Sequence, residues 1–177
     1  MTDVDATAVD AAPETGERRT PVALVLGIGV LLLALLVAAL VGSLTLRSYD
    51  ERASARAGAL AAARQEALNL TSIDGREIEA DLKRVLDGAT GQFKTDFAQR
   101  SEDLKKVLAD NNVIAEGRVL EAALVRADTE SATALVVVDS NVKNKAAPDG
   151  RSNTYRMQLD LERHNGRWLT STLQFVG

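Results

Sequence analysis

The chain has 177 residues, with 21 Lys and Arg against 25 Asp and Glu, a formal net charge of −4 and one histidine. Opposite charges alternate along its polar stretches (Arg76 to Arg84, Arg100 to Lys106), so the gathered basic excess of a nucleic-acid binder is missing. The absence of cysteine excludes disulfides, thiolate metal sites and cysteine nucleophiles together.

Residues 1–21 are rich in Ala, Asp, Glu and Thr without apolar periodicity, and read as a disordered tail. From Val22 to Leu46 run 25 residues without a charge. At about 1.5 Å per residue a helix here reaches roughly 37 Å, against a hydrocarbon core of about 30 Å. A cleaved signal peptide has an apolar region of about 7–15 residues; this run is longer, and the nearest small-residue cleavage candidate, Ala53 to Ala55, lies well beyond its end. Residues 22–46 are therefore expected to form an uncleaved single-pass transmembrane helix. Gly27, Gly29, Gly42 and Ser43 are small enough to permit close contact with another membrane helix, although ordinary transmembrane glycine usage explains them equally well. Arg18 and Arg19 precede the span, and Arg47, Arg52, Arg56 and Arg64 follow it. That bias favours a cytoplasmic C-terminal domain, but the rule weakens for long translocated domains.

Residues 47–71, dense in Ala, Arg, Glu and Leu, predict a helix: either a stalk or the first helix of the domain. Leu60, Ala63, Ala67 and Leu68 give it a weak apolar face. Residues 72–177 read as an α+β domain. Asp74 with Glu77 has capping-box spacing, and Ile78, Leu82, Val85 and Leu86 form a helical stripe behind it. Gly88 and Thr90-Gly91 interrupt; the next helix places Phe93, Phe97, Leu104, Val107 and Leu108 on a common face and ends at Asn111-Asn112. The period then changes. Val119 to Val125, Ala132 to Val142, Thr154 to Glu162 and Arg167 to Val176 predict strands. Tyr155, Met157, Leu159 and Leu161 alternate with Arg156, Gln158, Asp160 and Glu162, giving one buried and one wet face. Asp128 to Ser131, Ala147 to Gly150 and the type I′ signal Asn165-Gly166 supply three short links, hence an antiparallel meander. Helices first and strands afterwards predict helices packed on one face of a curved four-stranded sheet.

An acidic tail, one anchor, an Ala/Arg-rich helix, Ala89-Thr90-Gly91 followed by Phe93, and a meander closing on Asn165-Gly166-Arg167-Trp168-Leu169 occur here in that order. Over its whole length the chain resembles the Mce-associated membrane proteins of actinobacteria, accessory subunits of Mce lipid-import systems. The resemblance implies a nuclear-transport-factor-2-like cone, with a plan similar to the bridging proteins of type IV secretion systems. It also implies a cytoplasmic N-terminus and an extracytoplasmic domain at the cell membrane, against the arginine count. Expected partners are Mce proteins, their permease and membrane lipid; no nucleic acid, cofactor or metal is expected.

Phe93 and Phe97 either line a lipid-sized pocket or pack α-helix onto sheet, the second being favoured. Trp168 reads as a core or rim residue or a partner contact. His164, alone beside a tight turn, is a poor metal ligand. For an Asp–Tyr enzyme on this cone the candidates are Tyr49 with Asp50, and Tyr155 with Asp139 or Asp160; Asp160 is expected to face away from Tyr155. No Ser-His-Asp set, phosphate-cradling loop or metal spacing is present. The leading expectation is a non-enzymatic assembly subunit of an Mce-type importer of sterol or fatty acid. The alternatives are a lipid carrier using the cone cavity and a bridge subunit of a secretion system.

Overall fold

The computed structural model describes residues 22–177, with the side chains at 22–25, 28, 34, 44–46 and 48 outside the description. The tail expected at 1–21 lies outside the described residues. Three helices precede four strands: α1 (Val22–Thr71), α2 (Ile78–Gly88), α3 (Gly91–Asp110), β1 (Ile114–Ala127), β2 (Ser131–Asn144), β3 (Ala147–His164) and β4 (Arg167–Phe175). The chain divides into two compact units at Thr45/Leu46.

In the first unit, Leu26, Val30 to Leu33, Leu35 to Val37, Leu40 and Val41 are all 53–69 % exposed. A Cβ added at Gly27, Gly29 or Gly42 would meet nothing within 4 Å, and Ser43 Oγ donates to the Leu40 carbonyl at 2.8 Å. Among the described residues no helix is long and apolar enough to cross a membrane; the span expected at 22–46 falls partly on side chains outside the description.

The second unit is α+β. Its four strands pair antiparallel in sequence order, β1-β2-β3-β4. Alternation does the sorting: Ala132, Ala134, Val136 and Val138 of β2 and Met157, Leu159 and Leu161 of β3 are buried, on the face that meets the helices. The α1 side of this core is alanine. Ala55, Ala59, Ala63 and Ala67 are at most 2 % exposed, and Thr71 continues the same step of four. Residues four apart share one helix face, and five small side chains in that row bring the helix backbone close to the sheet. The face is thus set by Ala55 to Thr71, not by Leu60 and Leu68, which are half-buried.

Local chemistry sets the ends. Asp74 does not cap α2, which begins four residues later at Ile78, behind Glu77, with no side-chain cap. Its carboxylate instead accepts from Arg76 N–H at 2.9 Å and pairs with the Arg76 guanidinium, while the Asp74 N–H donates to Asp81 Oδ2 at 2.7 Å. Ile78, Leu82 and Val85 are buried as their spacing predicts. Asn112, at φ 47°, turns the chain out of α3. Val107, expected on the apolar face of α3, is 57 % exposed.

Asn165 and Gly166 both have positive φ (51° and 82°), as a type I′ hairpin requires. The β2–β3 turn differs from expectation: it sits at Lys145-Ala146, where Asn144 Oδ1 accepts from the N–H of Ala146 and of Ala147, each at 2.9 Å. Ala147 to Gly150 therefore belong to β3. Pro148 is tolerated there because β4 pairs only with residues 157–164, leaving that half of β3 an edge. The long outer strand β1 carries two irregularities, at Leu120 and Val125, which blunt its open edge.

Candidate functional site: an apolar trough beneath α3

Helix α3 is pinned at its ends. Before it, Thr90 N–H donates to the Thr170 carbonyl at 2.8 Å, and Gly91, at φ 52°, lies where a Cβ would come within 3.4 Å of Ser171. After it, Val113 N–H returns to the Leu108 carbonyl at 3.0 Å and Lys145 N–H donates to the Asn111 carbonyl at 3.1 Å. Glu79 of α2 and Lys105 form an ion pair along its flank. Between these ties no α3 residue is buried. Phe93, Phe97, Leu104 and Leu108 face inward but are only half-buried, because space remains below them.

That space is a trough in two compartments. The first, of about 310 Å³, lies between Phe97, Leu104 and Leu108 above and Val142, Tyr155 and Phe175 below, with Leu70 and Ile73 at its side. No charged residue lines it. Its hydroxyls from Thr71 and Ser140 are spent internally, Ser140 Oγ donating to the Thr71 carbonyl at 2.9 Å and Thr71 Oγ1 to the Ala67 carbonyl at 2.7 Å. The second compartment, of about 410 Å³, shares Leu70, Phe97 and Phe175 and adds Phe93, Thr172 and Leu173. Its rim is polar: Gln92, Asp96 and Arg100. Gln92 Nε2 donates to Asp96 Oδ1 at 2.6 Å.

The structure brings three of the four singled-out aromatics to this trough. Phe93 and Phe97 have ring centroids 5.9 Å apart at 47°, and Phe97 also packs on the cluster of Ile73, Ile78 and Leu82. The Tyr155 and Phe175 ring centroids lie 6.0 Å apart at 59°. Trp168 lies elsewhere, half-buried against the main core, with its indole 3.1 Å from where a Cβ on Gly58 would stand. Asp139 and Asp160 do not line the trough. Asp139 accepts from Ser152 at 2.6 Å and Asp160 from Thr133 at 2.6 Å, on the strand face opposite Tyr155. Tyr49 is 68 % exposed. His164 is exposed beside Glu162, 3.1 Å away. No group of three or more His, Asp or Glu among the described residues is placed to hold a metal.

Sequence reasoning missed Glu66. It is 2 % exposed, in a cleft of about 320 Å³ edged by Arg84, Asp87, Arg167 and Trp168. Oε2 accepts from Asn69 Nδ2 at 3.0 Å, whereas Oε1 is buried without a partner. Burial lifts its pKa from 4.5 to about 7, the Asn69 hydrogen bond opposing this. Gly88 makes the room: a Cβ there would stand 2.1 Å from Oε2. The one signal available was a carboxylate between Ala62, Ala63 and Ala67 on the sheet-facing side of an alanine helix.

Residues 21–177 match the family described as "Uncharacterized protein Rv1363c/MT1408-like". The chain belongs to that family. A member from Mycobacterium tuberculosis, "Uncharacterized protein Rv1363c", is 33% identical over 126 residues, 71% of this chain and 48% of the relative. The chain thus spans about half of that relative's length. Among solved structures the domain is similar to an IcmL-like type IV secretion system protein from Legionella pneumophila, with TM-score 0.56 and 16% identity over 68% of this chain and 91% of that one. It is also similar to CagV, a VirB8 homologue from Helicobacter pylori (TM-score 0.54, 9% identity, 68% and 97% covered). Agrobacterium tumefaciens VirB8 gives TM-score 0.51 at 9% identity, with 66% and 88% covered. At such identities these likenesses show a shared fold.

Proposed function

We propose that this protein is a non-enzymatic assembly subunit, anchored in the cell membrane by residues 22–46 and presenting its α+β domain on the outer face to a multi-protein envelope machine. The observation that carries this reading is the pairing of two parts. One is a charge-free helical stretch whose described large apolar side chains are all more than half exposed, a surface that hydrocarbon covers better than water. The other is a domain with the fold of secretion-system subunits of the VirB8 and IcmL kind. A bridging role, in which the anchor and the domain each hold different partners, fits this pairing most directly.

The chain's resemblance to Mce-associated proteins narrows the machine to an Mce-type lipid importer, with the Mce proteins and their permease as partners. The test is affinity purification of the full-length protein from its native membrane in gentle detergent, followed by mass spectrometry. Co-purified Mce and permease subunits, lost when residues 22–46 are exchanged for an unrelated anchor, are expected. Recovery of secretion-system components instead would move the subunit to the other machine. Recovery of neither would overturn the assembly role.

A further inference from the structure

We infer that the trough beneath α3 is a binding site for a single-chain carboxylate amphiphile, with its tail in the uncharged compartment and its head at Arg100. This goes beyond the assembly role and does not depend on it. The geometry supplies a head end and a tail end. The inner compartment has no charge, its Thr71 and Ser140 hydroxyls donate internally, and only the Tyr155 hydroxyl is left over, so it gives a charged head group no partner of opposite charge while an apolar chain displaces poorly held water. The two compartments meet at Phe97, which lines both, so one unbranched chain passes beneath it.

The outer rim is where charge appears. Arg100 is the single cation lining either compartment, and among the described residues it makes neither a hydrogen bond nor an ion pair. The neighbouring carboxylate, Asp96, is engaged by Gln92. A planar guanidinium with no partner at the mouth of an apolar slot is complementary to a carboxylate, which it holds through two parallel hydrogen bonds. The roof is lightly packed: α3 is fixed at both ends yet buries no side chain, and it lies outside the core between α1 and the sheet. Both compartments fall in the roughly 300–1,000 Å³ range of small-molecule sites.

The test is equilibrium binding of radiolabelled dodecanoate, and of dodecanol as the uncharged control, to the full-length protein in phosphatidylcholine nanodiscs. Empty nanodiscs correct for partition into lipid. Saturable dodecanoate binding at one per chain is expected, at least tenfold tighter than dodecanol. Arg100→Glu, on an exposed position that leaves the fold intact, is expected to weaken dodecanoate at least tenfold and leave dodecanol unchanged. Leu104→Trp, which fills the inner compartment, is expected to abolish both, with circular dichroism confirming that the domain stays folded. Should Leu104→Trp unfold it, the Arg100→Glu comparison decides alone. Equal binding of acid and alcohol, or an Arg100→Glu variant that binds dodecanoate normally, would overturn the assignment of the head group. Absence of saturable binding to the wild-type chain would overturn the site.

Discussion

Glu66 is the residue where this fold stores a titratable cost. A carboxylate with one oxygen unpaired and no ion pair is held neutral by burial, near pKa 7 against an ordinary 4.5. A raised carboxyl pKa means that the folded state binds the extra proton between those values. Its favourable contribution is complete below about pH 4.5 and is lost as pH climbs through 7. A shift of that size corresponds to about 3 kcal/mol. Glu66→Gln keeps an acceptor for Asn69 and removes the titration, so it is expected to stabilise the protein above pH 7 by up to that amount and to change little at pH 5. Thermal or urea unfolding of both proteins at pH 5 and pH 8 checks this. Taking the difference isolates Glu66 from exposed carboxylates such as Asp74, which Arg76 holds down to about 2 and which acts only at the acid end. Equal pH profiles would show that the group is not held neutral. Gly88 belongs to the same cluster. Gly88→Ala puts a methyl group inside the space of Oε2 and is expected to cost about 1–3 kcal/mol. Most of that penalty should vanish in the double variant Glu66→Ala/Gly88→Ala, because neighbours that share one space are not additive.

At the scale of elements, the alanine row of α1 fixes how closely helix and sheet approach. Ala63→Leu adds volume where a fully buried Ala63 meets the sheet core and is expected to destabilise by about 1–3 kcal/mol. Ala61→Leu, on the exposed side of the same helix, should fall within about 0.5 kcal/mol of wild type; similar losses in urea unfolding at both positions would contradict the packing described. This row also shows where sequence is informative. Period and turn chemistry were legible: the stripe of Ile78, Leu82 and Val85, the alternation of Met157, Leu159 and Leu161, and the Asn165-Gly166 hairpin all reappear in the structure. Alanine carries little hydrophobic signal, so the buried face of α1 was legible only in part: Ala63 and Ala67 belong to it, Leu60 and Leu68 are only half-buried, and Ala55 and Ala59 gave no signal. Strand ends were read short because residues 147–154 of β3 lie on an open edge and are largely polar and exposed. The aromatic side of the trough was legible from Phe93 and Phe97. Its uncharged compartment was not, since it is assembled from residues as far apart as Leu70 and Phe175. Glu66 was hidden for a related reason: only tertiary packing beneath Gly88 buries it.

The whole molecule combines a helix that exposes apolar side chains with a domain similar in fold to secretion-system proteins. The proposed function joins the two parts as a subunit held at the membrane with its domain facing outward. Because the sequence contains no cysteine, single introduced thiols report topology without background. The decisive measurement is labelling of intact cells by a membrane-impermeant maleimide, with Glu130→Cys in the exposed β1–β2 link and Thr7→Cys near the N-terminus. Glu130→Cys is expected to be labelled in intact cells and Thr7→Cys only after permeabilisation. The reverse pattern, or a protein released from membranes by carbonate, would contradict it.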